Sequence, residues 1–216
     1  MTELNKRILT SFFLITLLFL SSKFFFILFL ILIFCFYEIF NELFMMLDKI
    51  YNKRKRYNLY IICLFTLTYL VILYSVILDL FVSNKADEKI FLYFIILVCI
   101  TTDIGGFIFG KIFKGKKLTS ISPNKTYSGL VGSYFLSSTT SLLAFSNYYN
   151  TNEIVLFALI ISSISQSGDL FISFLKRKAN LKDTGNLLPG HGGILDRLDG
   201  IIFAIPFGLI LFNIYG

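Results

Sequence analysis

The feature that most constrains this chain is a succession of apolar runs, each close to the length of a bilayer crossing and separated by short polar connections. About 20 apolar residues in a helix are needed to span the hydrocarbon core of a membrane. Seven runs qualify, near residues 8–22, 24–47, 58–81, 89–110, 127–146, 153–175 and 199–215. The expected fold is therefore all-α, a polytopic membrane protein with about seven transmembrane helices. Composition points the same way. Of 216 residues 56% are hydrophobic and 26 are Phe, and the mean hydropathy is +0.77, too much apolar surface for a soluble domain of this size. The first run continues past the length of a secretory h-region, so no cleaved signal peptide is expected. Only Ser21, Ser22 and Lys23 separate the first two runs, which form either a tight hairpin or one long broken helix.

The formal charge of +7 raises nucleic acid as a partner. The cations are not interleaved with exposed aromatics along a groove, however, and nucleic acid is not expected. They alternate instead between successive connections. Lys6 and Arg7 precede the first crossing; Lys49, Lys53, Arg54, Lys55 and Arg56 follow the second; Lys111, Lys114, Lys116, Lys117 and Lys125 follow the fourth; Lys176, Arg177, Lys178, Lys182 and Arg197 follow the sixth. The intervening connections carry only Lys23, Lys85 and Lys89. Cationic loops stay on the cytoplasmic side, so the N-terminus is expected in the cytoplasm of a cell whose inner membrane the chain crosses. Membrane lipid is the expected partner of the cations. Cys35, Cys63 and Cys99 sit inside apolar runs without metal-ligand spacing and read as buried thiols.

Several polar residues stand where hydrocarbon is expected. Ser162, Gln166, Asp169, Ser173 and Arg177 recur at steps of three and four and share one face of the sixth span. They form either a helix–helix hydrogen-bond seam or a functional stripe, and the aspartate favours function. Asp196 and Asp199, three residues apart at the mouth of the last span, repel one another unless a cation joins them. With Asp169 they make a set suited to Mg²⁺; salt bridges to Arg197 and Lys182 are the alternative. Asp103 is a further intramembrane charge, beside Gly105, Gly106 and Gly110, whose small size suits close helix packing. Ser122 followed by Pro123 reads as an N-cap and first turn, where backbone N–H groups attract phosphate; Lys125 and Thr126 follow. His191 stands among glycines, where a backbone can approach a ligand closely.

The segment from Ser173 to Asp199 resembles the signature of the phosphatidate cytidylyltransferases, the CDP-diacylglycerol synthases. Its specified positions are Ser173, Lys176, Arg177, Lys182, Asp183, Gly185, Pro189, His191, Gly192, Gly193, Asp196, Arg197 and Asp199. Gln166–Asp169, the aspartate before the glycine cluster and the Ser122-Pro123-Asn124-Lys125-Thr126 element are similar to further segments of that family. Ser128 departs from it, standing where Glu or Gln is usual. The resemblance is dense from residue 101 to 216 and leaves 1–100 as a variable N-terminal transmembrane region. It implies transfer of CMP from CTP to phosphatidate in phospholipid biosynthesis, on the cytoplasmic side, with Mg²⁺ and an open question of a second metal ion. Asp169 and Asp196 are then the expected direct ligands, with Asp199 beside them. Lys176, Arg177, Lys182 and Arg197 are expected to work on the reacting phosphates. Asp103, Ser122, Lys125, Thr126, Ser173, Asp183, His191, Gly192 and Gly193 are expected to bind substrate. A CTP-dependent lipid-alcohol kinase and a transporter remain as alternatives, and a homodimer is compatible with the sequence.

Overall fold

The computed structural model describes Thr16, Leu20 and the segments 23–51, 56–82, 86–188 and 192–215. Among these residues the regular elements are six helices: α1 (Phe25–Ile50), α2 (Arg56–Val82), α3 (Ala86–Phe113), α4 (Tyr127–Phe145), α5 (Thr151–Lys178) and α6 (Leu195–Tyr215). All but α4 are long and apolar enough to cross a membrane. The expected crossing at 127–146 does form a helix, but its 19 residues include seven Ser and Thr and two Gly. That composition makes it a weaker membrane segment than its neighbours. The expected crossing at 8–22 lies outside the described residues apart from Thr16 and Leu20, and among the described residues five helices are long and apolar enough to cross. Phe24, with extended dihedrals, opens α1.

The chain divides into two compact units, Met1–Asn84 with Leu175–Leu198, and Lys85–Phe174 with Asp199–Gly216. Most of the signature segment falls in the unit of the N-terminal helices. In the first unit α1 and α2 pack through the buried Leu47, Leu59 and Cys63, with Phe40, Tyr51 and Ile62 against them. Farther along, Tyr74 of α2 meets the ring of Phe36 edge-on, with 5.6 Å between centroids. The opposite faces leave Phe26, Phe34, Leu64 and Phe65 exposed, which is the arrangement expected of helices solvated by lipid.

In the second unit α3 supplies the core. Phe91, Phe94, Ile95 and Val98 are fully buried, together with Ile154, Ala158 and Ile161 of α5 and Ala204 of α6. Phe91 stacks on Phe212 at 4.7 Å and meets Phe157 edge-on at 5.4 Å. Glycines bring α3 and α4 into backbone contact: a Cβ on Gly105 would stand 2.6 Å from the Gly132 carbonyl oxygen, and one on Gly129 2.7 Å from that of Gly106. The small residues near Asp103 therefore serve helix packing. Thr102 joins this seam, donating from Oγ1 to Ser162 Oγ at 2.8 Å while its carbonyl accepts from Ser133 Oγ at 2.8 Å.

Candidate active site

The signature segment begins where α5 ends. Asn180 takes a left-handed conformation, φ 56°, while Leu181 N–H donates to the Lys176 carbonyl at 2.8 Å and Asn180 N–H to that of Arg177 at 3.1 Å. This paired closure reverses the chain at the helix end. Arg177 adds a hydrogen bond from Nη1 to the Leu181 carbonyl at 3.3 Å, so part of its donor set holds the turn. Beyond it, Leu188 N–H donates to the Gly192 carbonyl at 2.9 Å. Gly192 has φ +84°, and a Cβ there would also stand 2.6 Å from Asp196 Oδ2; glycine is required on both counts. Pro189 and His191 lie outside the described residues.

Two carboxylates shape this loop from within the first unit. Asp196 Oδ2 accepts from Thr184 N–H at 2.8 Å and Gly193 N–H at 3.0 Å, and its Oδ1 pairs with Lys176 Nζ at 2.7 Å. Both partners of that ion pair are largely buried, with side chains 12% and 8% exposed. Glu42 of α1, only 2% exposed, accepts from Thr184 Oγ1 at 2.7 Å, Leu195 N–H at 2.9 Å and Ile194 N–H at 3.0 Å. Lys182, Asp183 and Arg197 are exposed. The salt bridge expected as one alternative for Asp196 therefore forms, but to Lys176.

In the second unit the carboxylates are arranged differently. Asp169 pairs with Lys125 and accepts from Ser173 Oγ at 3.3 Å. Asp199, 8% exposed, lies within hydrogen-bonding reach of the Asp169 carboxyl, and Asp103 adds a third negative charge to its surroundings. The Gly200 N–H donates to Asp199 Oδ1 at 2.9 Å. The seam on α5 continues one turn back, where Gln166 Nε2 donates to Ser162 Oγ at 3.2 Å. Ser162 and Gln166 thus make the helix seam, while Asp169 and Ser173 continue the stripe as a charged site.

Lys125 is delivered by a folded connection. The Lys125 N–H donates to the Ser122 carbonyl at 3.0 Å and Leu118 N–H to the Lys125 carbonyl at 2.8 Å. The helix expected to begin at Ser122 begins instead at Tyr127, with Thr126 as N-cap accepting from Gly129 N–H at 3.1 Å. Ser122-Pro123-Asn124-Lys125 closes as a turn with proline at its second position, a placement that suits a β-turn as well as a helix start. Ser128 Oγ accepts from Gly115 N–H at 3.2 Å and bonds Thr126 Oγ1 at 3.0 Å. It therefore ties the lysine-rich connection to the start of α4.

The oxygen donors of Asp169 and Asp199 are of the type Mg²⁺ takes, and two carboxylates suffice for an ion that keeps several waters and binds substrate phosphate. Among the described residues no set of three or more His, Cys, Asp and Glu side chains stands ready to hold a metal. A site of one or two carboxylates fits the residues present better than an all-protein cage. Farther round α5 from the Asp169 stripe, Ser163, Ser167, Gly168, Phe171, Phe203 and Phe207 line an open, largely apolar groove of about 390 Å³.

Glu42 and Thr184 were not singled out by sequence reasoning. An acid inside the apolar run FNELFMML was the available signal, because an ionisable residue in a membrane span calls for a partner. Nothing in the sequence indicated that the partner lay in the signature loop.

Comparison with known proteins places these features in a family. The model of the cytidylyltransferase family matches residues 4–215. A Rickettsia felis protein named phosphatidate cytidylyltransferase is 48% identical over 129 residues, covering 54% of this chain and 55% of that protein. Proteins of the same name from Rickettsia typhi and Staphylococcus aureus are 39% identical over 159 residues and 38% over 135, covering 68% and 61% of this chain and 68% and 52% of theirs. The chain thus spans about half to two thirds of the length of these curated relatives. With a family match running nearly end to end over the helices that carry both carboxylate groups, the chain belongs to the cytidylyltransferase family.

Proposed function

We propose that this protein is a phosphatidate cytidylyltransferase of the cell membrane, converting CTP and phosphatidate to CDP-diacylglycerol and pyrophosphate. The observation that carries the reading is the approach of the buried Asp199 to the partly exposed Asp169, with Lys125 paired to Asp169 and Asp103 in the same field. Carboxylates held this close repel one another, and an added cation relieves the repulsion. Asp169 and Asp199 would hold Mg²⁺, which when bound supplies positive charge to phosphate oxygens. Asp196 is read chiefly as a positioning residue, because its oxygens already serve Lys176 and two backbone N–H groups.

The nucleophile is a phosphate oxygen of phosphatidate, already anionic near neutral pH, so no activated Ser or Cys is required. It forms a bond to the α-phosphorus of CTP as the α–β P–O bond breaks, and the electron pair leaves with pyrophosphate. The work of the protein is to bring two polyanions together in line. Lys125 and Lys176 bring positive charge on ordered side chains. Lys182 and Arg197 are exposed and are proposed to meet anionic headgroups and nucleotide phosphates. Ser122, Thr126, Asp183 and the Gly192–Gly193 backbone are proposed to contact substrate, with His191 beside them. The alternation of cationic connections supports a cytoplasmic active site, and the acyl chains of phosphatidate remain in lipid.

The deciding experiment follows each phosphate of CTP. With purified full-length chain in mixed micelles containing phosphatidate and Mg²⁺, label on the α-phosphate enters the lipid fraction. Lipid carrying γ-label without α-label would make the protein a lipid kinase. Transfer of neither label by a CTP-binding preparation would overturn the assignment.

A further inference from the structure

We propose that Glu42 of α1 is a positioning residue for this reaction: from the N-terminal region it sets the signature loop and, through Thr184 and Asp196, the place of Lys176. The inference rests on the cytidylyltransferase reading above.

Glu42 stands on the buried stripe of α1 with Ile39 and Met46. A carboxylate in an apolar helix is costly unless its oxygens are matched by donors. Here Oε2 takes the Thr184 hydroxyl and Leu195 N–H, and Oε1 takes Ile194 N–H. The two backbone donors belong to the start of α6, where amides have no partner within the helix and the helix dipole favours negative charge. Glu42 is thus a helix cap supplied from 152 and 153 residues away. The loop is shaped to receive it, since a Cβ on Gly185 would stand 2.6 Å from Oε1.

Filling this volume needs only an apolar side chain. What the carboxylate adds is direction. Thr184 is the junction, giving its hydroxyl to Glu42 and its N–H to Asp196, whose other oxygen holds Lys176. A shift of Thr184 therefore moves the acceptor that fixes a cation of the signature. Glutamine is nearly isosteric with glutamate but brings an NH₂ group. The Thr184 hydroxyl can turn to accept from it, whereas a backbone N–H cannot, so one buried donor at the start of α6 loses its partner.

The test uses the full-length chain in mixed micelles, comparing wild type with Glu42→Gln, Thr184→Val, Thr184→Ser and the Glu42→Gln/Thr184→Val double variant. Turnover is followed by α-labelled CTP, and amide hydrogen exchange is read over 182–188 and 192–195, with α3 as the internal reference. Glu42→Gln and Thr184→Val are expected to lower kcat by about tenfold or more, the scale of one unmatched buried donor. KM for CTP should change by less than about threefold, because orientation rather than uniform binding is lost. Exchange should quicken in the signature loop and stay unchanged in α3. Thr184→Ser should recover wild-type turnover, and the double variant should be no worse than the poorer single one. Wild-type kcat in Glu42→Gln, quickened exchange in α3 as well as the loop, failure of the serine rescue, or additive losses would each overturn the proposal. Should wild type transfer no α-label, the cytidylyltransferase reading falls, and the exchange comparison still decides whether Glu42 sets the loop.

Discussion

The two groups of carboxylates differ in what occupies their oxygens. In the first unit Glu42 and Asp196 together accept from four backbone N–H groups, one hydroxyl and one lysine. In the second unit Asp169 and Asp199 face one another, with Asp103 close enough to add to the repulsion and Lys125 on Asp169. A buried carboxylate saturated with donors rigidifies its surroundings. Carboxylates that converge on one another hold a place for an external cation and sacrifice stability for it. The same residue type thus builds a frame in one unit and, in the function proposed above, a cation site in the other.

The sharpest way to break this contrast is to neutralise each kind of acid. Asp169→Asn and Asp199→Asn are expected to cost on the order of a thousandfold in turnover, each removing a charge that Mg²⁺ and the reacting phosphates require. Thermal unfolding in chelator should leave Asp199→Asn as stable as wild type or more so, because a like-charge contact is relieved; Asp169→Asn also loses its partly exposed pair with Lys125, and its stability should stay within about 1 kcal/mol of wild type. Near-normal turnover at saturating Mg²⁺ would remove the substituted residue from the metal site.

Asp196→Asn should behave in the opposite sense for stability. It leaves Lys176 buried without its counter-charge, at a cost of about 3 kcal/mol, and turnover should fall roughly 10- to 100-fold as the loop loosens. Adding Lys176→Met should recover much of the stability and none of the activity. An unfolding temperature for Asp196→Asn equal to that of wild type would place this aspartate with the binding carboxylates instead.

Mg²⁺ itself should distinguish the two groups without any turnover. At about 100 times its dissociation constant a ligand specific to the folded state adds about 2.7 kcal/mol. The resulting rise in unfolding temperature should occur in wild type and in Glu42→Gln, and be lost in Asp169→Asn and Asp199→Asn. Equal rises in all four would show that the ion binds elsewhere.

The smallest effect is expected at Ser128, where only neutral hydrogen bonds to Gly115 N–H and Thr126 are at stake. Ser128→Ala should cost about 1 kcal/mol of stability and change turnover by less than about threefold. A loss comparable to that of Asp199→Asn would move Ser128 from the frame to the site, restoring importance to a position where the family usually carries Glu or Gln.

Apolar length and periodicity made the helices legible. The expected spans at 58–81, 127–146, 153–175 and 199–215 lie on Arg56–Val82, Tyr127–Phe145, Thr151–Lys178 and Leu195–Tyr215, because burial in lipid or against another helix demands a run of fixed minimum length. The polar stripe on α5 was legible for the same reason, since helical spacing puts Asp169 and Ser173 on one face. The start of α4 was misread at Ser122 because Ser-Pro suits a turn and a helix start alike, and Thr126 provides the cap in the structure.

By itself, then, the sequence determined the helical class, the segments that meet lipid and the short list of residues able to carry phosphate chemistry, all of which depend on neighbours within a few turns. Only the tertiary structure decided which acids are satisfied and which confront one another. Lys176 and Asp196 are 20 residues apart and Glu42 and Thr184 are 142 apart. Such pairings are set by how helices pack, and a one-dimensional pattern does not say which donor a buried carboxylate will find.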